Sequence, residues 1–94
     1  NVSEAMEMFG VEFMVYPNPA SDLVSIGFHN DAPQRITIDL LDLSGRVVEH
    51  IDTRNMASGI QTIDWSSSHI GAGTYLVRVQ GEHYNTTHPL IISK

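Results

Sequence analysis

The 94-residue sequence has no cysteine, one tryptophan, and only five Lys and Arg together. Without cysteine there is no disulfide framework, no thiolate metal site and no thiol nucleophile. Five cations against eleven acidic residues leave a formal charge of −6. That balance argues against a nucleic-acid footprint and against attraction to anionic lipid. No apolar run approaches the ~20 residues that a membrane helix needs. The opening NVSEAMEMFG lacks both a basic n-region and a long apolar h-region, so it does not read as a secretory signal. It starts at Asn rather than Met, as a piece of a longer protein would. A chain of this size makes one domain with a modest core.

What the sequence does have is alternation with a period of two. Val11, Phe13 and Val15 fall on one face of residues 11–16, and Val24, Ile26 and Phe28 on one face of 22–28. Ile36, Ile38 and Leu40 point one way from 35–42, with Thr37 and Asp39 opposite. Residues 46–51 and 60–65 continue the habit, the second with Ile63 and Trp65 together. Tyr75, Val77 and Val79 alternate with Thr74, Arg78 and Gln80, and 86–93 closes the chain. Seven strands spaced about 10–12 residues apart predict an all-β, antiparallel, immunoglobulin-like β-sandwich. Residues 3–9 hold helix formers, with Ser3 as an N-cap candidate, but so short a helix is marginal without packing. Residues 1–10 are therefore expected to be a tail or linker, and 11–94 the sandwich.

The turns are specific. In YPNPASD (16–22) the prolines fix φ and push Tyr16 and Asn18 toward extended geometry, a rigid corner that ends the first strand. In DLSGR (42–46), Asp42 suits the first position of a type I turn and Gly45 a left-handed bulge, which predicts a tight hairpin. Tyr75, opening a late strand after GAG (71–73), fits a tyrosine corner, its hydroxyl bonding back to nearby backbone. Tyr75 and Trp65 are expected in the core.

Signals for chemistry are weak. His29, His50, His69, His83 and His88 are too dispersed to suggest a zinc site. There is no G-x-S-x-G elbow, and GAG lacks the lysine and helix of a phosphate loop. Asp39 and Asp42 read as a solvated hairpin edge rather than a catalytic pair. No catalytic residue, metal or cofactor is expected. The closing HPLIISK (88–94) is more distinctive: an apolar run led by Pro89, which cannot donate to a ladder and so marks an edge strand or a strand start. An apolar edge of this kind is either covered or captured by another protein through strand addition.

YPNPA (16–20), DLSGRVV (42–48), GAGTYLVRV (71–79) and the short apolar finish ending in Lys94, in that order, resemble the C-terminal sorting domain of type IX (Por) secretion system cargo, type A. The resemblance covers about residues 15–94. It implies a non-catalytic, immunoglobulin-like signal domain that directs a folded cargo, often a protease or adhesin, from the periplasm across the outer membrane to the cell surface. It implies as partners the outer-membrane translocon, its shuttle components and a sortase-like signal peptidase that removes the domain. Carried over by position, the motif residues are Pro17, Asn18, Pro19, Gly45, Arg46, Gly73 and Tyr75, mainly structural, with Leu90, Ile91, Ile92, Ser93 and Lys94 as the sorting signal. One departure is Pro89, where the family commonly has lysine. No nucleic-acid partner is expected, and exposed strand edges allow weak or strand-swapped homodimers. The alternative is an immunoglobulin-like adhesion, binding or accessory module of a surface protein. On the sorting reading, loss of residues 90–94 is expected to abolish export while leaving the remainder folded; on the adhesion reading those residues are dispensable for secretion.

Overall fold

Strands that are apolar at every second residue must bury that face against another layer. In the computed structural model, which describes all 94 residues, two antiparallel sheets do so. The elements are α1 (Val2–Phe9), β1 (Phe13–Tyr16), β2 (Leu23–Asn30), β3 (Gln34–Leu41), β4 (Val47–Met56), β5 (Gly59–Ser66), β6 (Gly73–Gln80) and β7 (Asn85–Ile92). One sheet has the order β1-β2-β5 and the other β4-β3-β6-β7. The expected seven-stranded sandwich is what forms. Its core comprises Val24, Ile26 and Phe28 of β2, Ile63 and Trp65 of β5, Ile36, Ile38 and Leu40 of β3, Val77 and Val79 of β6, and Leu90 and Ile92 of β7. Phe13 of β1 and His88 of β7 stack face to face, 3.7 Å between ring centroids, and close the seam where the two sheets' edges meet.

Three local features differ from expectation. Residues 2–9 are helical and packed rather than a free tail. Asn1, not Ser3, is the N-cap: its side chain accepts from Glu4 N at 2.9 Å, and the Glu4 carboxylate accepts from the Asn1 backbone nitrogen at 3.1 Å, a capping box. Gly10 ends the helix at φ 64°. Val2 and Met6, one turn apart, are buried on the outer face of the β1-β2-β5 sheet. The seat is Gly27, whose missing side chain opens a slot: a Cβ there would come within 2.6 Å of Met6 Sδ and would also overlap Val2 Cγ1. Read as a strand, Gly27 is merely the outward residue between Ile26 and Phe28, so its role as a helix seat is invisible.

The second difference is β4, which continues to Met56 well past residue 51. The sequence there turns polar, but β4 is a sheet edge, where polar residues face water on two sides. Two register shifts against β3, around Ile51 and Val48, bend this edge. The third is Asp39. It points away from the core, yet is 6% exposed, because Arg78 of β6 and His50 of β4 close over it, each 2.9 Å from a carboxylate oxygen.

Candidate recognition surface

The register brings the four sequence motifs to one end of the sandwich. Leu41 pairs with both Val47 and Leu76, Tyr75 with Leu90, and Gly73 with Ile92, so the 42–46 hairpin, the 71–73 turn and the chain's last residues share a pole. The 17–22 corner joins them through a parallel bridge between Ala20 and Ile92.

Each segment is held locally. In the hairpin, Gly45 N donates to Asp42 O (3.0 Å) and Asp42 N to Arg46 O (2.9 Å), with Gly45 at φ 90°. The Asp42 carboxylate accepts from the Ser44 hydroxyl at 2.6 Å, from Ser44 N and Arg46 N at 3.0 Å each, and from Arg46 Nε at 3.2 Å. Its carboxyl is held below the usual range chiefly by the Ser44 hydroxyl, then by the Arg46 amide. The tip residue Leu43 is 67% exposed. At the 71–73 turn the Tyr75 hydroxyl donates to Gly71 O at 2.8 Å, the tyrosine corner expected, while the ring packs on the core. Trp65 lies at the core's edge. Its indole N–H donates to Glu49 at 2.6 Å, and the carboxylate's other oxygen meets His69.

The closing residues divide by alternation. Leu90 and Ile92 are buried in the core, whereas Ile91 is 45% exposed. Ser93 and Lys94 are exposed. The Lys94 ammonium donates to Ser67 O and Ser68 O, both at 2.9 Å. That loop is itself tied to Asp22, whose main-chain oxygen accepts from Ser67 N and Oγ and whose side chain accepts from Ser66.

Sequence reasoning missed what holds this strand's outer edge. The Asn18 side-chain amide acts like the peptide group of a neighbouring strand: Nδ2 donates to Pro89 O (3.3 Å) and Oδ1 accepts from Ile91 N (3.0 Å). Ala20 continues with its backbone, N donating to Ile91 O (2.8 Å) and O accepting from Ser93 N (2.7 Å). All the outward-facing groups from Pro89 O to Ser93 N are thus satisfied. The one donor that such an edge would otherwise present, at residue 89, is absent because 89 is proline. Four hydrogen bonds at about 0.5–1.5 kcal/mol net each make this clamp worth about 2–6 kcal/mol. Its partners are 71–73 residues apart in sequence, so no local signal could have found it.

Two global features complete the surface. The largest depression, about 670 Å³, lies elsewhere, lined by residues such as Arg35, Asn55 and Glu82. No depression is lined by residues 17–20, 42–46, 71–75 or 90–94. The motif pole therefore offers edges and projecting side chains, not a pocket. Charge is also partitioned. The α1/β1/β2/β5 layer and its loops carry Glu4, Glu7, Glu12, Asp22, Asp31 and Asp64 and no Lys or Arg. All five cations, including Arg46 and Lys94 at the pole, lie on the other layer and its tail, where they balance the remaining acids. No group of three His, Cys, Asp or Glu is arranged as metal ligands.

The elaborated features of this β-sandwich are its turns and its closing strand rather than a cleft. The family described as the secretion system C-terminal sorting domain matches residues 14–93, and the chain belongs to it. It is a non-catalytic C-terminal sorting signal for type IX secretion. No curated protein matches the chain.

Proposed function

We propose that the secretion machinery reads this domain at the motif pole, through the exposed members of the closing segment: Ile91, Ser93 and Lys94. The observation that carries this reading is the convergence of 17–20, 42–46, 71–75 and 90–94 on one end of the sandwich. Leu90 and Ile92 serve the signal indirectly, by anchoring β7 in the core. Pro17, Asn18, Pro19, Gly45, Arg46, Gly73 and Tyr75 shape the surface around it. In this reading the domain accompanies a folded cargo from the periplasm to the outer-membrane translocon, with shuttle components as carriers, and a sortase-like peptidase then removes it. Residues 1–10 are the linker to that cargo, folded back as α1 onto the sandwich, and 11–94 are the sorting unit.

The experiment is an export assay. Residues 1–94 are fused behind a periplasm-targeted fluorescent reporter in a bacterium with type IX machinery. The wild-type fusion reaches the surface or medium, while a fusion carrying Ile91→Asp with Lys94→Ala stays in the periplasm although the purified domain is folded and melts cooperatively. Equal export of both fusions would overturn the assignment of these residues.

A further inference from the structure

The outer edge of β7 between Pro89 and Ser93 is fully hydrogen-bonded, but not by a strand. Its occupant is a single backbone residue, Ala20, and one side-chain amide, that of Asn18. Although β1 is the adjacent edge of the other sheet, it does not pair with β7. We propose that this edge is a masked strand-addition site: segment 18–20 is its resident occupant, and an extended segment of the secretion machinery displaces it, pairing parallel to β7. The inference rests on the reading that the closing residues are what the machinery recognises.

The resident segment defines the chemistry of its replacement. Where Asn18 reaches Pro89 O and Ile91 N with a side chain, a continuous strand makes the same two bonds from its backbone and then repeats the two bonds of Ala20. The incoming strand runs in the direction that Ala20 runs, parallel to Ile92. It presents a small side chain where Ala20, 1% exposed, now sits, since a larger one has no room beside Ile92. It needs no acceptor opposite residue 89, because Pro89 has no N–H. By the two-residue alternation, Thr87 is the next outward-facing residue of β7, and no bond from the corner reaches it. A strand extending that far gains backbone bonds that the resident segment leaves unmade, so the exchange favours the longer occupant. Until then the mask denies a bare edge to other copies of the chain.

Two opposite perturbations of the full chain test the proposal. In Asn18→Ala both side-chain bonds of the clamp, to Pro89 O and from Ile91 N, are lost, which opens it. In Ala20→Cys with Ile92→Cys, residues adjacent across the bridge, an oxidised pair locks it. Amide exchange on purified protein should rise at least tenfold for Ile91 in Asn18→Ala while Leu90 and Ile92, which face β6, stay protected. In the reporter-fusion assay Asn18→Ala should export at least as well as wild type. The oxidised cysteine pair should export at least tenfold less, and reductant should restore it. Export of the oxidised pair at the wild-type level would overturn the masked edge. So would a periplasmic Asn18→Ala fusion whose domain is folded and whose Ile91 amide is open, an outcome that decides the matter even if the cysteine pair disturbs folding. Failure of the wild-type fusion to export, or full export of the Ile91→Asp, Lys94→Ala fusion, would instead remove the underlying reading.

Discussion

Deleting residues 90–94 looks from the sequence like a clean way to remove an address while sparing the fold. The structure predicts otherwise. Leu90 is fully buried and Ile92 is 2% exposed, both within the core. Truncating a buried Leu or Ile to Ala costs about 2–5 kcal/mol, so losing both costs about 4–10 kcal/mol. A domain of this length has a total stability of about 5–14 kcal/mol at 0.05–0.15 kcal/mol per residue. The deletion also removes the clamp to Asn18 and Ala20 and the Lys94 tie to the 67–68 loop. The truncated chain should therefore be largely unfolded at 37 °C. Single substitutions resolve the alternation: Leu90→Ala and Ile92→Ala each lose about 2–5 kcal/mol, whereas Ile91→Ala stays within about 0.5 kcal/mol of wild type. Even the lower figure lowers Tm by roughly 8–16 °C in a domain of this size. Thermal melts followed by near-UV circular dichroism and by the fluorescence of Trp65 provide the measurement. The reasoning fails if the truncated chain melts cooperatively within a few degrees of the full one, or if Leu90→Ala and Ile91→Ala shift Tm equally.

Three further outcomes are expected. Gly27→Ala should eject α1, because the new Cβ collides with Val2 and Met6; amides of residues 5–9 should lose exchange protection while β3 and β6 keep theirs. Tyr75→Phe removes the bond to Gly71 O and keeps the ring, costing about 0.5–1.5 kcal/mol in a urea melt; a loss above about 3 kcal/mol would mean that the hydroxyl holds more than this turn. His88, stacked on Phe13 at the sheet seam, has its pKa pushed below the ordinary histidine value by burial. The unfolded chain thus takes up this proton more readily than the folded one. The stabilising effect is complete above about pH 6.5 and is lost as the pH falls through the lowered folded value. His88→Phe should flatten the wild-type decline in stability below pH 6.5, and an unchanged slope would contradict the assignment.

Much of this architecture is legible in the sequence, because a two-layer sandwich leaves its imprint every second residue. Val24, Ile26 and Phe28, or Ile36, Ile38 and Leu40, could be placed inward with no further information, and all six are buried. The 42–46 hairpin and the Tyr75 corner are legible for a different reason: their hydrogen bonds close within four residues, so composition and spacing specify them. What escapes is whatever depends on a missing side chain or on distant partners. Gly27 matters by what it lacks. Asn18 is an ordinary turn residue until the fold sets it beside Pro89 and Ile91. Asp39 obeys the outward alternation and is buried anyway, since two cross-strand neighbours lie over it.

The same alternation bears on how a terminal strand can be both scaffold and signal. Leu90 and Ile92 face the core, while Ile91 shows its side chain to solvent and turns its backbone groups to the clamp. In an unfolded chain, fixing residues 89–93 in an extended conformation would cost roughly 5–10 kcal/mol at 1–2 kcal/mol per residue. Docked against β6 on one side and Asn18 and Ala20 on the other, those residues are already ordered. On the proposed reading, a partner that adds to this edge meets a preorganised strand and has only the clamp to displace, at about 2–6 kcal/mol. Folding and recognition are then coupled by construction: a domain with a damaged core loses the ordered strand together with its stability. A passive tail carrying the same five residues would show no such dependence. Export should therefore fall with Leu90→Ala in proportion to the folded fraction, and osmolytes that restore folding should restore it.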